Sequence, residues 1–348
     1  MAAEFSRTAV FHAADQPLEL TTVAIPELQS GECLVRITAC TLCGSDLHSR
    51  YGRRPSPAPS ILGHEIIGVV EATCSGETQV ELPAIGDRVT WSVAASCHQC
   101  RPCTNQMPQK CETLFKYGHA ESGTDPLSGG LSEYCILRRG TTIVKVPNEL
   151  PDAVACPASC ATATVAAAIR SAGTLTDRHV LVTGAGMLGL TATAMLAMSD
   201  AREITVCDID PARLKLATTM GATSIVEKIP EQQFDVILEM TGNAGVVEQV
   251  VRQGATGGTI VLVGSVTPSR DVSFSPEQIV RRLLTIRGVH NYQPQDLIKA
   301  IEFLAASHRN FPFADVVERW FSLNDAEEAM LYAEQSSAVR IGIRPEGI

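Results

Sequence analysis

The sequence has no apolar run near the ~20 residues that a bilayer-spanning helix needs, and this absence excludes a membrane-crossing helix. Its first twenty residues interrupt apolar positions with Glu4, Arg7, His12 and Asp15, so the unbroken apolar stretch of a secretory leader is missing as well. Together these absences set the expectation of a cytoplasmic protein that touches no membrane. Positive charge is scarce: 28 Lys and Arg against 38 Asp and Glu leave a net charge of −10. Such a balance repels phosphate backbones and argues against general nucleic-acid binding. The chain also lacks any fixed-period repeat or low-complexity tract. With 45% hydrophobic and 19% charged residues, it has the composition of a chain that buries a core.

Cysteine is abundant. A reducing cytosol disfavours disulfides, so the 12 cysteines point to metal ligation wherever their spacing permits it. Cys97, Cys100, Cys103 and Cys111 follow C-x2-C-x2-C-x7-C, a spacing that lets four thiolates wrap one tetrahedral zinc. Four sulfurs leave no coordination position for substrate, so this zinc is expected to be structural and to hold a lobe spanning 95–113. The lobe sits in an acidic chain without a following basic helix, which opposes a DNA-binding role. Cys33, Cys40, Cys135, Cys156 and Cys207 lie in apolar surroundings and read as core residues.

At ~100–200 residues per domain, 348 residues predict two domains. Up to about residue 150 the pattern is one of short strands broken by turns, among them 34–37, 66–70, 88–91 and 144–146. The segment 151–172 is alanine-rich and reads as helix. From His179 onward, strands (179–183, 203–207, 224–226, 234–239, 259–263, 284–288) alternate with helical stretches at 188–198 and 212–220, as in a doubly wound parallel α/β sheet. The tail predicts a helix over 294–306 and a strand over 338–343.

The strand at 179–183 runs into Gly184-Ala185-Gly186-Met187-Leu188-Gly189 at the start of a helix, and Asp208 follows 19 residues after Gly189. In that context Gly184 makes the tight turn, Gly186 lets a pyrophosphate approach the backbone, and Gly189 permits close helix–strand packing. The helix N-terminus offers free N–H groups to the phosphates. Asp208 is placed to accept from adenosine ribose hydroxyls. Its charge, with that of Asp210, repels a 2′-phosphate, so NAD is expected over NADP.

A thiolate and an imidazole stand in Cys43-Gly44-Ser45-Asp46-Leu47-His48 and Gly63-His64-Glu65. A catalytic zinc needs three protein ligands and an open position, so a third ligand is required. Cys160, in Pro157-Ala158-Ser159-Cys160-Ala161-Thr162, lies where the β-rich region gives way to the alternating one.

These motifs resemble the zinc-containing medium-chain alcohol dehydrogenases along essentially the whole chain. The resemblance implies a GroES-like β-rich catalytic domain over 1–160 and 291–348, and an NAD-binding Rossmann domain over 161–290. It implies a catalytic zinc on Cys43, His64 and Cys160, and a structural zinc on the four-cysteine lobe, hence two zincs per subunit. Ser45 would pass the substrate proton through the cofactor ribose to His48, Asp46 would support His64, and Glu65 would lie behind the metal as a transient ligand. Thr164 and Leu188 would sit near the nicotinamide, Arg213 near the adenosine ribose, and Arg340 near the pyrophosphate. The implied activity is hydride transfer between a small alcohol, or the matching aldehyde or ketone, and NAD, in a homodimer or homotetramer. Polyol or amino-alcohol oxidation, like that of sorbitol and threonine dehydrogenases, is an alternative. A non-catalytic nucleotide-binding scaffold is the competing class, opposed by the retained ligands.

In this family the position of Cys74 usually holds a small residue, and 75–84 reads as a modest insertion. Arg50, Arg53 and Arg54 lie in a loop that borders the substrate pocket in the family. They read either as a solvated basic loop or subunit contact, or as a clamp for an anionic alcohol, since guanidinium forks match oxyanions. A further likeness of this loop, of 115–119 and of 288–294 to a subgroup associated with phosphonate catabolism favours the clamp, with a hydroxyalkyl phosphonate as substrate.

Overall fold

The computed structural model describes residues 3–76, 82–121 and 126–345. It divides into two compact units, one comprising Met1–Cys160, Gln293–His308 and Phe313–Ile348, the other Ala161–Tyr292 and Arg309–Pro312. No single helix among the described residues is long and apolar enough to cross a membrane.

The first unit is built on a mixed sheet whose centre is the antiparallel pairing of Glu32–Leu42 with Glu65–Cys74. Glu65–Cys74 pairs onward with Arg88–Ala95. On the other side Arg340–Arg344 pairs with Glu32–Leu42, then Val317–Ser322 with Arg340–Arg344. Cys33, Val35 and Ile37 recur with the period of two that a strand imposes, and they pack with Val89, Trp91, Tyr117 and Cys135 in one core. Cys40 belongs to the same core and Cys156 is fully buried. Burial pushes the Cys33 thiol up to about 12, so these cysteines behave as small apolar residues.

The predicted helix over 151–172 is three pieces: Asp152–Ala155, a 3-10 turn at Cys156–Ser159, and Ala161–Ala172. Pro157 causes the break, because it has no N–H to donate and its ring clashes with a preceding carbonyl. The break leaves Cys160 outside regular helix, with φ −122° and ψ −75°. Part of the expected insertion, 77–81, lies outside the described residues.

The second unit carries a parallel six-stranded sheet in the order Ser224–Val226, Glu203–Cys207, His179–Thr183, Phe234–Glu239, Gly254–Leu262, Thr285–Gly288. The order reverses direction beside His179–Thr183, the switch point at which such sheets take ligands. Cys207 packs in this unit's core with Leu181, Phe234 and Ile260. The helices Ala244–Gln253 and Pro276–Arg282 were not apparent in the sequence pattern.

Gly184, at φ +89°, makes the turn out of the central strand, and the helix Met187–Ala197 follows it. A Cβ on Gly189 would lie 1.7 Å from the Gly184 carbonyl oxygen. Gly189→Ala therefore forces the helix off its strand, at a cost of about 2 kcal/mol or more. Thermal unfolding should show a Tm lower by several degrees; an unchanged Tm would mean that this contact is not tight.

Candidate active site

Cys43 caps a short helix, Gly44–Arg50. Spacing of three and four residues puts Ser45, His48 and Ser49 on one face of it. His64 directly precedes the strand Glu65–Cys74. It is aimed by Gly63, whose φ of +87° no bulkier residue adopts readily and whose Cβ would meet the Cys40 sulfur at 2.9 Å. Cys160 arrives from the helix break.

The donor atoms of Cys43, His64 and Cys160 lie within 4.8 Å of one another. A buried carboxylate organises them. Asp46 accepts from the Cys43 backbone N–H at 2.9 Å, from the Gly63 N–H at 3.1 Å, and from His64 Nδ1 at 3.1 Å. Asp46 thus holds a proton on Nδ1, so Nε2 is the nitrogen left for a metal once the metal displaces its proton. Although burial opposes protonation of His64, the charge and hydrogen bond of Asp46 lift its pKa to about 10 in the metal-free chain. Hydrogen bonding from Cys160, reinforced by Arg340, holds Cys43 well below the ordinary thiol range, and Cys160 is raised in turn. A bound cation would favour the thiolate form of both sulfurs. Two sulfurs and one nitrogen at this spacing fit a zinc with a fourth position open. Ser45 Oγ lies 3.3 Å from His64 Nε2, beside that donor set.

Glu65 does not join the three donors. Its carboxylate is fully buried and accepts from Arg340 Nε and Nη2 at 2.8 Å each and from Thr41 Oγ1 at 2.6 Å. Those three donors hold the carboxylate outside the three-donor cluster in the structure. Arg340, expected near the pyrophosphate, supplies two of those donors. It is only 8% exposed, spends Nε and Nη2 on Glu65, and gives Nη1 to the Val339 carbonyl. Nη2 also lies 3.7 Å from Cys43 Sγ. The signal for this buried pair was an arginine set in the otherwise apolar strand Val339-Arg340-Ile341.

The basic loop is mostly committed internally. Arg50 is 4% exposed and forms a bidentate pair with Glu327, and Arg53 pairs with Glu334 at 2.6 Å. Arg50 is thus closed off from the expected anion clamp, while Arg53, 43% exposed, holds a surface pair. Arg54 donates to Ser49 Oγ at 3.0 Å and to His119 Nδ1 at 2.7 Å. The His119 ring lies 5.1 Å from that of His64, a neighbour that sequence spacing did not reveal. His48 is half-buried; burial, then the charges of Arg53 and Arg54, push its pKa down. Its Nδ1 has no hydrogen-bond partner among the described residues.

In the lobe, all four sulfurs of Cys97, Cys100, Cys103 and Cys111 lie within 4.8 Å of one another. The separations are 3.4 Å (Cys100–Cys103), 3.8 Å (Cys100–Cys111) and 4.0 Å (Cys97–Cys103). A tetrahedron of ~2.3 Å zinc–sulfur bonds has edges of about 3.8 Å, so the cage fits the ion. Backbone N–H groups support it: Cys100 N donates to Cys97 Sγ and Cys97 N to Cys111 Sγ, each at 3.3 Å. The N–H groups of Gln99 and Cys100 hold the Cys97 thiol down at about 6.

In the second unit, Asp208 accepts from the Ala185 N–H at 2.6 Å and from the Asp210 N–H at 2.9 Å, so its carboxylate lies over the glycine turn. A Cβ on Gly186 would meet nothing within 4 Å, which leaves the N-terminus of the helix open to a ligand. Thr164 and Leu188 are half-buried on their helices. Arg213 faces Asp210 at 3.7 Å.

With this geometry in hand, comparison with known proteins is decisive. A family profile described as alcohol dehydrogenase GroES-like domain matches residues 29–148, and one described as zinc-binding dehydrogenase matches 188–306. The chain is 30% identical to the L-threonine 3-dehydrogenase of Deinococcus deserti over 76% of its own length and 78% of that protein's. It belongs to the zinc-containing medium-chain alcohol dehydrogenase family. It is also 29% identical to 5-exo-hydroxycamphor dehydrogenase of Pseudomonas putida over 97% of this chain and 98% of that one. An alcohol dehydrogenase from Thermotoga maritima superposes with a TM-score of 0.91 at 25% identity, covering 98% of this chain and all of the other. The family is one of alcohol oxidoreductases, and its members support zinc and a nicotinamide cofactor. Nothing in these relatives supports a phosphonate substrate.

Asp46→Ala should weaken metal binding at the Cys43–His64–Cys160 site by about 10–100-fold and leave the four-cysteine cage unchanged. Chelator competition reads the two sites separately. Equal loss at both would mean general unfolding, and no loss would deny Asp46 its role.

Proposed function

We propose that this chain oxidises a small secondary alcohol, or reduces the matching ketone, with NAD as the hydride carrier and two zincs per subunit. The observation that carries the reading is the convergence of Cys43, His64 and Cys160 within 4.8 Å, with His64 Nδ1 held by Asp46. Cys43, His64 and Cys160 would hold the catalytic zinc, and Cys97, Cys100, Cys103 and Cys111 the structural one. When bound, the metal supplies Lewis acidity that lowers the pKa of a hydroxyl oxygen, and the nicotinamide takes up hydride.

The chain's own residues do the positioning. Asp46 fixes His64 and ties the two ligand loops together. Arg340 neutralises Glu65 and adds positive potential at Cys43, which keeps that sulfur ionised. Ser45 Oγ, beside His64 Nε2, gives up its own proton as it takes that of the substrate hydroxyl, and His48 would be the base that passes the released proton to solvent. His48 suits this task because its pKa is lowered, so at neutral pH it is uncharged and able to accept. In the second unit, Gly184, Gly186 and Gly189 shape the pyrophosphate turn, and Asp208 keeps lone pairs for ribose hydroxyls. The secondary hydroxyl is favoured because the relatives named above are 5-exo-hydroxycamphor and L-threonine 3-dehydrogenases.

Following NADH absorbance with a panel of secondary alcohols tests the reading directly. Cys43→Ala should reduce turnover by about a thousandfold or more, lower bound zinc from two to one per chain, and leave NAD binding intact. Activity surviving in metal-free protein would reject the mechanism, and absence of NADH formation would favour a non-catalytic scaffold.

Cofactor choice rests on Asp208. Asp208→Ala should raise the ratio of kcat/KM with NADP to that with NAD by about tenfold, the worth of one charged hydrogen bond. Equal effects on the two cofactors would remove Asp208 from the ribose site.

A further inference from the structure

The three arginines at 50, 53 and 54 are spent differently. Arg50 ends on Glu327 and Arg53 on Glu334. Arg54, among the described residues, hydrogen-bonds only to side chains without negative charge. Its Nε donates to Ser49 Oγ at 3.0 Å, and its Nη2 faces the His119 imidazole, 2.7 Å from Nδ1 and 3.3 Å from Nε2. A guanidinium only donates, so Nδ1 of His119 is the acceptor. Ser49 is fixed in turn. It is fully enclosed, and its Oγ accepts from Arg54 and from Ser56 Oγ at 2.7 Å while donating to the Ser45 carbonyl at 3.1 Å. That is the whole bonding capacity of a hydroxyl.

His119 carries this order to the ligand set. Its ring centroid lies 5.1 Å from that of His64 with the planes tilted by 35°, a separation at which such rings are in contact. Gly118 brings it there: its φ is +73°, and a Cβ on it would meet the Gly63 carbonyl oxygen at 2.6 Å and His64 Cβ at 3.0 Å. No side chain therefore separates this segment from the ligand loop. The circuit closes at Ser45, whose Oγ lies 3.3 Å from His64 Nε2. Asp46 holds His64 at Nδ1 alone, and one hydrogen bond tolerates a swing of some tens of degrees. The tilted ring of His119 restrains that swing. A phenyl ring would fill the same space, but Arg54 could not set its rotation.

We propose that Arg54 and His119 are a positioning pair for the metal centre, in which Arg54 orients the His119 ring and His119 holds His64 in the plane that puts Nε2 on the metal. This rests on assigning a catalytic zinc to Cys43, His64 and Cys160, and adds a second hold on His64 besides Asp46. Arg54 acts only through His119, so the two form one unit, and losing either costs as much as losing both.

Cobalt(II) in place of zinc reports coordination geometry through its visible absorption. The test uses protein with zinc in the four-cysteine cage and cobalt at the three-ligand centre. Arg54→Met and His119→Phe should each change the cobalt bands and speed chelator removal of the cobalt by about tenfold, with the cage metal retained. The double variant should match either single one. Arg54→Lys, which keeps a donor for Nδ1, should restore most of the wild-type spectrum. Should Arg54→Met not fold, Arg54→Gln makes the same comparison. Wild-type bands and removal rates in both single variants overturn the pair and leave the zinc assignment standing. So does a change in His119→Phe that the Arg54 variant does not share, or losses that add in the double variant. A wild type that takes up metal only in the cage overturns the zinc assignment and the pair with it.

Discussion

One carboxylate holds the active site together. Asp46 is completely buried, and it accepts from two backbone amides and one imidazole drawn from two separate loops. A buried carboxylate without such donors would cost several kcal/mol; with three it becomes a rigid pin. The position of Cys43, the backbone path through Gly63 and the orientation of His64 all follow from it. A ligand set that must receive a metal with little rearrangement depends on that kind of support.

Charge is arranged around this pin in pairs. Glu65 and Arg340, both almost fully enclosed, cancel one another behind Cys43, and Arg50 with Glu327 does the same beneath the short helix. Buried pairs of this type add little net stability compared with apolar packing. Here the Glu65–Arg340 pair sets the potential felt by a thiolate, so its presence is accounted for by chemistry at the sulfur rather than by stability. The lobe works differently. Its four sulfurs are supported by backbone N–H groups of the same short segment, and the segment has almost no apolar residues to bury.

Most of the fold was legible in the sequence because its signals are local. The glycine turn after an apolar strand, the acidic residue at the end of the next strand, and the two-residue gaps between cysteines are all patterns within 30 residues. The strands at 179–183, 203–207, 224–226 and 234–239 match those of the structure. What escaped was non-local or small. Glu65 and Arg340 are 275 positions apart, and no spacing rule connects them. The helix Gly44–Arg50 is too short for a periodic pattern, and the break at Pro157 was hidden by a run of good helix formers around it. The arginine loop shows the limit most plainly. Composition gives three guanidinium groups, but only the positions of Glu327, Glu334 and His119 decide which of them is already taken.

The discontinuity of the first unit bears on how the protein is made. Its central sheet includes Val317–Ser322 and Arg340–Arg344, which follow the whole of the second unit in the chain. A polypeptide emerging from the ribosome therefore completes the contiguous nucleotide-binding stretch before it has the strands that close the earlier-encoded one. Until Arg340 emerges, Glu65 has no cation to face. The usual order, in which the N-terminal domain matures first during synthesis, cannot run to completion here, because two strands of the first unit's sheet are made last.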